Sequence, residues 1–454
     1  MPTCLVHPLP YQADPAVYFQ RVRQAPGAVL LDAGRPAATR GRYDLLSAWP
    51  LAALAPLPEE TGAAFFGRLR DQLSSLGRAE LPAGIDLPFA GGLLGYLAYD
   101  FGRRIEVLPD QARDDLGLGD ALFGLYAWAL ISDHQARTSQ LVFHPGLPGA
   151  EQARLLALFE RPPADGDGAP FALLAPFQAA IEPPRYAEAI ARIQAYIASG
   201  DCYQVNYAQR FQAGYQGDPW QAYGALRGAC PTPFSGYLSL PGGGALLSLS
   251  PERFIRVSGG QVETRPIKGT QPRGRDEQED AHNAQVLLAS TKDRAENLMI
   301  VDLLRNDLGR SCRIGSVRVP ELFALESYPN VHHLVSAVTG ELAADKDALD
   351  LLLGAFPGGS ITGAPKIRAM QIIDELEPTR RGPYCGSLLY LDVRGEMDSS
   401  IAIRSLLAKD GVISCWGGGG IVADSAWQAE YQESITKVQV LLSTLEQGCL
   451  QAKL

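Results

Sequence analysis

In Arg265-Pro266-Ile267-Lys268-Gly269-Thr270 a lysine ends a β-like run and is followed at once by glycine. That frame suits a side chain presented to a cleft. Burial would disfavour the ammonium form of Lys268, and Arg265 or Arg273 beside it would depress its pKa further. A lysine tuned in this way is a neutral amine nucleophile. The same spacing also fits a solvated lysine at a turn, and the hexapeptide alone does not separate the two. Carboxylates form the second group. Glu296, Ile300, Leu303 and Asp307 fall at i, i+4, i+7 and i+11, which sets Glu296 on the rim of an apolar helical stripe. Glu430, Glu433 and Lys437 fall at i, i+3 and i+7 on one face of a later helix. In isolation Glu433 and Lys437 make an ordinary i, i+4 surface pair worth about 0.2–0.5 kcal/mol, and Glu296 alone reads as a solvated charge.

Two glycine-rich stretches suggest anion binding. Gly358-Gly-Ser-Ile-Thr-Gly363-Ala-Pro365-Lys366 looks like a phosphate loop, but the loop needs Lys directly after its second Gly. Here Ala364-Pro365 intervene, and Pro365 removes a backbone donor. Gly417-Gly418-Gly419-Gly420 follows the β-run 411–416 and fits equally a bare turn or a place where backbone N–H groups approach an anion.

The elements that must position these residues are short strands and amphipathic helices. A helical stretch covers 61–76, and another covers 186–199. Strands are expected at 234–240, 245–249, 254–257 and 261–264, joined by glycine turns short enough to make at least part of the sheet antiparallel. A long helix is expected from the acidic cluster 276–280, which suits a helix N-terminus, to about Leu308. A last helix is expected from Ser425, where Ser425-Ala-Trp-Gln428 reads as a capping box, to about Gly448. The class is α+β or mixed α/β. Residues 161–185, dense in Pro, Gly, Ala and Asp, read as a linker between a first domain, 1–160, and a second, 186–454.

Composition narrows the functions. A chain of 454 residues can enclose a buried site. Its formal charge of −10 lacks a clustered Lys/Arg stripe, so nucleic acid is not an expected partner. A small anionic substrate would have to be held by a local set of cations against the overall field. The seven cysteines, Cys4, Cys202, Cys230, Cys312, Cys385, Cys415 and Cys449, form no metal-ligand spacing and argue for free thiols in a reducing cytoplasm. No basic-then-apolar leader and no run of eighteen apolar residues is present, so neither secretion nor a membrane is expected.

Taken together, the motifs resemble the chorismate-binding enzymes: the anthranilate synthase large subunit, isochorismate and salicylate synthases, and aminodeoxychorismate synthase component I. The residues carrying the resemblance are Gly200-Asp-Cys-Tyr-Gln204-Val-Asn-Tyr-Ala-Gln-Arg210, Ser250-Pro-Glu252-Arg-Phe254, 265–270, Asp293-Arg-Ala-Glu296 onward to Asp302, His333-Leu-Val-Ser336, 356–366, Ile403-Arg404-Ser405, and Gly417–Gly420 with 430–437. They keep the family's order over roughly 185–440, while 91–100 and Leu30-Leu31 match more weakly. The resemblance implies a large two-layer antiparallel β-sandwich flanked by helices.

Two positions choose the reaction within the family. The anthranilate, isochorismate and salicylate enzymes carry Ala where this chain has Lys268, and Pro-Ile-Lys-Gly-Thr is the mark of the C4-aminating branch. The isochorismate type places a Lys base where this chain has Gln204. The resemblance therefore implies amination of chorismate at C4 through a covalent Lys268 intermediate, with Glu252 as acid and His333 close to the ring. It implies Mg²⁺ held by Glu296 and Glu433 with Glu430 in or beside the shell. Tyr384, Arg404, Lys437 and Gly417, Gly418, Gly419 and Gly420 are expected to contact substrate carboxylates, and Gln204 is expected to contact the substrate as well. Ammonia is expected from a separate glutamine amidotransferase subunit, since no Gly-x-Cys-x-Gly elbow is present and Cys385 is a poor substitute. Related enzymes hold tryptophan in the first domain; Arg42, Tyr43, Pro233, Phe234 and Ser235 match that pocket, whereas Ala33 stands where Ser is usual. The rivals are an anthranilate synthase large subunit and a non-catalytic subunit that only binds chorismate or tryptophan.

Overall fold

The computed structural model of the chain describes residues 1–38, 41–161, 168–328 and 331–451. Among these, two antiparallel sheets of thirteen and ten strands dominate. Alternation along each strand explains the layering. Val29, Leu45 and Leu246 face a core shared with Leu93, Phe123, Phe254 and Leu389 of the ten-stranded sheet. Their neighbours Leu30, Leu46 and Leu247 face the other way, into a second core with Phe19, Leu155, Leu226 and Leu441 from helices. The result is the expected sandwich, its larger sheet covered by helices on the outside.

Both sheets take strands from both halves of the chain. Val29–Asp32 pairs with Phe234–Ser239 in one sheet, and Gly92–Leu97 pairs with Ser387–Asp392 in the other. The expected boundary at 161–185 is thus crossed by both sheets. Of the expected linker, 162–167 lie outside the described residues; beyond them Ala172–Leu173 and Gln178–Ala179 add short pairings to the strand Gln204–Gln216, and the helix Pro183–Ala198 begins. No helix among the described residues is long and apolar enough to cross a membrane.

Two expected helices are each divided. The acidic cluster does start a helix, with Asp276 accepting from the Glu279 amide, but the element stops at Ala289. Ser290 leaves helical geometry and its side chain caps a second helix, Thr291–Gly309, through the Asp293 amide. The capping box at Ser425 does not form. Its hydroxyl instead donates to Glu430 Oε1 at 2.7 Å and accepts from the Val422 amide, and the helix runs Trp427–Thr436 before a second one, Gln439–Gln451.

One buried ion pair braces the loops around the cleft. Arg381, on the turn after the helix Lys366–Leu376, donates to both oxygens of Glu377, to the Ile361 carbonyl at 3.0 Å and to the Asn206 carbonyl at 2.8 Å. Its guanidinium also lies over the Tyr99 ring, 4.6 Å from the centroid. Removing one member of a buried pair leaves an uncompensated charge. Arg381→Ala is expected to lower stability to urea by about 3–5 kcal/mol, and Glu377→Gln in the same chain to recover a large part of that loss; unfolding followed by tryptophan fluorescence checks both.

Candidate active site

Lys268 comes from Ile267–Pro272, at the edge of the ten-stranded sheet. Pairing with Val331–Glu341 slips between Ile267 and Thr270, so Lys268 and Gly269 form a bulge. A bulge re-aims a side chain out of the sheet's alternation. Gly269 has φ of 80°, and a Cβ there would lie 2.8 Å from Leu287 Cδ1. Only glycine allows both the backbone turn and the close approach of the helices behind it. The Lys268 amine donates to the carbonyl of Ser360 at 3.0 Å. Burial of the ammonium form lowers its pKa, opposed by the nearby carboxylates of Glu252, Glu296 and Glu433 and assisted by Lys437.

Lys437 thus takes the part expected of Arg265 and Arg273. Those two are engaged elsewhere, Arg265 with Glu321 and Glu326 and Arg273 with Asp280.

Glu252, between the strands Ala245–Ser250 and Arg253–Ser258, is buried at 6% exposure. Its Oε1 accepts from the Ser360 hydroxyl at 2.8 Å. Burial pushes its carboxyl from 4.5 to about 7, against the pull of Lys268 and that hydrogen bond. An acid pushed up toward neutrality and an amine pushed down from its usual range therefore face one cleft, the pairing proton-transfer chemistry needs.

His333 is buried beside them. Its Nδ1 is 2.9 Å from Thr270 Oγ1, and burial together with the Arg404 charge lowers its pKa to about 4, so the ring is neutral near pH 7. Arg404 occupies the left-handed region at φ of 50°. Among the described residues no carboxylate pairs with its guanidinium, which donates to Cys230 Sγ at 3.9 Å. Tyr384 is buried and stacks on Trp416, with centroids 6.1 Å apart.

Gly417–Gly420 are neither a turn nor a loop. They belong to the strand Val412–Ile421 and pair in register with Gln209, Ala208, Tyr207 and Asn206. In an antiparallel ladder alternate amides point away from the partner strand, so part of this run stays open to a ligand. A Cβ on Gly420 would lie 1.8 Å from Gln204 Nε2. Gln204 is fully buried, and neither polar atom of its amide has a hydrogen-bond partner among the described residues.

On the far wall, Glu296 projects from Thr291–Gly309 and Glu430 and Glu433 from Trp427–Thr436. Glu433 pairs with Lys437 at 2.6 Å, and Lys437 also donates to the Gly418 carbonyl at 3.0 Å. Glu430 is buried at 4% exposure, so it does not share the solvated face that helical spacing gave it. Burial raises the carboxyls of Glu296 and Glu430, and the charge of Glu433 raises both further. Burial acts upward on Glu433 most strongly of any one cause, but Lys437, Lys292 and Lys268 together outweigh it and the net shift is down. Glu430 Oε2 and Glu433 Oε1 lie 3.2 and 3.4 Å from where a Cβ on Gly419 would stand. No three His, Cys, Asp or Glu side chains among the described residues are gathered into a ready cluster. Even so, oxygen-only donors that raise one another's pKa beside a glycine gap fit a hard divalent cation.

Arg42, Tyr43, Pro233, Phe234 and Ser235 line a cavity of about 660 Å³ between the sheets, whose lining includes Ile267 but not Lys268. Ala33 is buried, its amide bonded to Asp44 Oδ1 at 2.7 Å. Residue reasoning missed Ser360 and Asn206 as parts of the site. The only sign of Ser360 lay in the stretch set aside as a failed phosphate loop, and Asn206 lay inside a motif valued for Gln204.

Residues 55–443 match the model of the chorismate binding enzyme. The chain belongs to the chorismate-binding enzyme family. Among its relatives, aminodeoxychorismate synthase component 1 of Salmonella typhimurium is 48% identical over 450 residues, 96% of this chain and 97% of that protein. The protein of the same name from Escherichia coli is 49% identical over 439 residues, 94% and 95% of the two chains. The solved anthranilate synthase component I of Streptococcus pneumoniae superposes with a TM-score of 0.75 at 29% identity, over 89% of this chain and 93% of that one.

The raised carboxyl of Glu252 has a consequence for stability. In the unfolded chain it titrates near 4.5 and in the folded chain at about 7. The stability it supplies is complete below 4.5 and is lost as pH rises through 7, because the native state must then hold a buried charge. Glu252→Gln is expected to raise the thermal midpoint at pH 8 more than at pH 5, by a difference of up to about 3 kcal/mol in stability; calorimetry at the two pH values measures it.

Proposed function

We propose that this chain aminates chorismate at C4 to 4-amino-4-deoxychorismate, the reaction for which its aminodeoxychorismate synthase relatives are named. The observation carrying the reading is the Lys268 amine, held out of water beside an acid that keeps its proton near pH 7.

The chemistry follows from those two groups. The Lys268 nitrogen bonds to C2 of the ring, both ring double bonds move one position, and the C4–O bond breaks. Glu252 supplies the proton that lets the hydroxyl leave as water. Ammonia then bonds to C4, the double bonds return, and the C2–N bond breaks to release Lys268 as a neutral amine. The ammonium group now at C4 passes one proton to the Glu252 carboxylate, which resets both side chains. Two such displacements retain configuration at C4. Neutral His333 packs close to the ring without adding charge, and Arg404 and Lys437 receive the substrate's carboxylates. Glu296 and Glu433, with Glu430 in or beside the shell, would hold Mg²⁺, which when bound neutralises a substrate carboxylate and fixes the ring's position.

Ammonia at neutral pH is mostly ammonium, and the relatives are called component 1. Both fit a separate glutamine amidotransferase subunit as the donor. The described cysteines, Cys4, Cys202, Cys230, Cys312, Cys385 and Cys415, are free, in keeping with a cytoplasmic enzyme. Use of the product for p-aminobenzoate and folate fits the same reading. The cavity lined by Arg42, Tyr43 and Phe234 is the candidate place for tryptophan.

An anthranilate synthase would aminate C2 and eliminate pyruvate from the same pocket, and a non-catalytic relative would have lost Glu252, Lys268 or a metal carboxylate. Incubation with chorismate, Mg²⁺, an ammonium salt and a pyruvate-releasing lyase is expected to give 4-aminobenzoate. Anthranilate, or no turnover, would overturn the reading. Lys268→Ala is expected to reduce C4 amination by at least about a hundredfold, and Glu433→Ala to raise the Mg²⁺ needed for half-maximal rate.

A further inference from the structure

Ser360 touches both reacting side chains through different atoms. Its hydroxyl donates to Glu252 Oε1 at 2.8 Å, and its carbonyl accepts from Lys268 Nζ at 3.0 Å and from Asn206 Nδ2 at 2.9 Å. Despite opposite charges when ionised and a common neighbour, Lys268 and Glu252 form no direct ion pair among the described residues. A cation and an anion free to meet in a water-poor cleft would do so, since their attraction rises as the dielectric falls. Something must hold them apart. We propose that Ser360 is the positioning residue that does this, tethering the amine by its carbonyl and the carboxyl by its hydroxyl so that both stay turned toward one substrate. This rests on Lys268 being the nucleophile and Glu252 the acid.

The tether is stiff. Ser360 is the middle of a single 3₁₀ turn, Gly359–Ile361, and is 7% exposed. The Ile361 carbonyl is fixed by Arg381, and Thr362 Oγ1 donates to the Gly358 carbonyl at 3.1 Å. A Cβ on Gly359 would stand 2.6 Å from Leu303 Cδ2, so glycine lets the turn press against the helix that carries Glu296. Asn206 and Lys268 between them use both lone pairs of the Ser360 carbonyl.

Glu252 is held at its carboxyl by the Ser360 hydroxyl on Oε1 and by the Ile267 amide. Without the hydroxyl, Glu252 can swing onto the Lys268 amine and hold it as ammonium, which is not a nucleophile. The charges around the pair, Glu296, Glu433 and Lys437 near the amine and Cys385 near the carboxyl, stay in place when Ser360 is changed.

Two readouts separate this claim from the reaction it serves. Acylation of Lys268 by an N-hydroxysuccinimide ester, followed by peptide mass spectrometry at one pH, needs no substrate; kcat and KM for amination come from turnover. Ser360→Ala is expected to slow both Lys268 acylation and kcat by about tenfold, the size set by losing one buried hydrogen bond. KM for chorismate is expected to stay within about twofold, and Ser360→Thr, which keeps the hydroxyl, to restore both rates. An alanine variant acylated as fast as the unmodified chain, or a threonine variant as slow as the alanine one, would overturn the spacer. Slowed acylation with unchanged amination would leave the spacer standing and remove Lys268 as nucleophile.

Discussion

An amine and a carboxylic acid placed together in a dry cleft have two states that differ only in the position of one proton. As an ion pair they attract strongly and are chemically idle; as a neutral pair they are a nucleophile and an acid. Burial taxes the ion pair twice and the neutral pair hardly at all, which is why Lys268 is shifted down and Glu252 up. Their mutual attraction works against both shifts. The proposed chemistry depends on burial prevailing while the groups are kept from touching, and the rest of the fold serves that condition.

The two sheets supply that means by converging from different parts of the chain. Lys268 leaves the edge of one sheet at a bulge, and Gly417–Gly420 lie in the other, on the strand beside Gln204–Gln216. The turn bearing Ser360 closes the gap, braced by Arg381 and Glu377 on one side and the helix of Glu296 on the other. An edge strand is normally a liability. Here helices Glu277–Ala289 and Thr291–Gly309 pack against it, and the bulge that weakens its ladder is what frees Lys268 from the sheet's alternation.

Local signals carried the parts of this that depend on local chemistry. The glycine after Lys268 marked a backbone that only glycine can adopt, and the strands 245–249 and 261–264 could be read from composition and turns. Resemblance supplied the sandwich and the set Glu252, Glu296, Glu433 and Arg404, which no spacing would have assembled, since they lie on separate elements. What failed did so for want of long-range contacts. Ser425 looked like a helix cap because sequence does not show that Glu430 would compete for its hydroxyl. Arg265 and Arg273 looked like neighbours of the amine because sequence does not show Glu326 or Asp280 drawing them away. Ser360 is the plainest case: its partners are 108 and 92 positions distant.

The acidic balance of the chain, −10 overall, makes the treatment of cations near the cleft informative. Most arginines named above are spent on carboxylates, as Arg381 is on Glu377 and Arg273 on Asp280. Among the described residues Arg404 is not, although its backbone sits in a left-handed conformation that an ordinary residue adopts only when its surroundings compel it. A strained, unpaired guanidinium in an acidic protein would be easily lost unless something outside the chain completes it. In the proposed reaction a dianionic ring would do so, with one carboxylate at Arg404 and the other at the wall of Glu296, Glu433 and Lys437. Attraction is then confined to two points, and the chain's net negative charge disfavours other anions elsewhere.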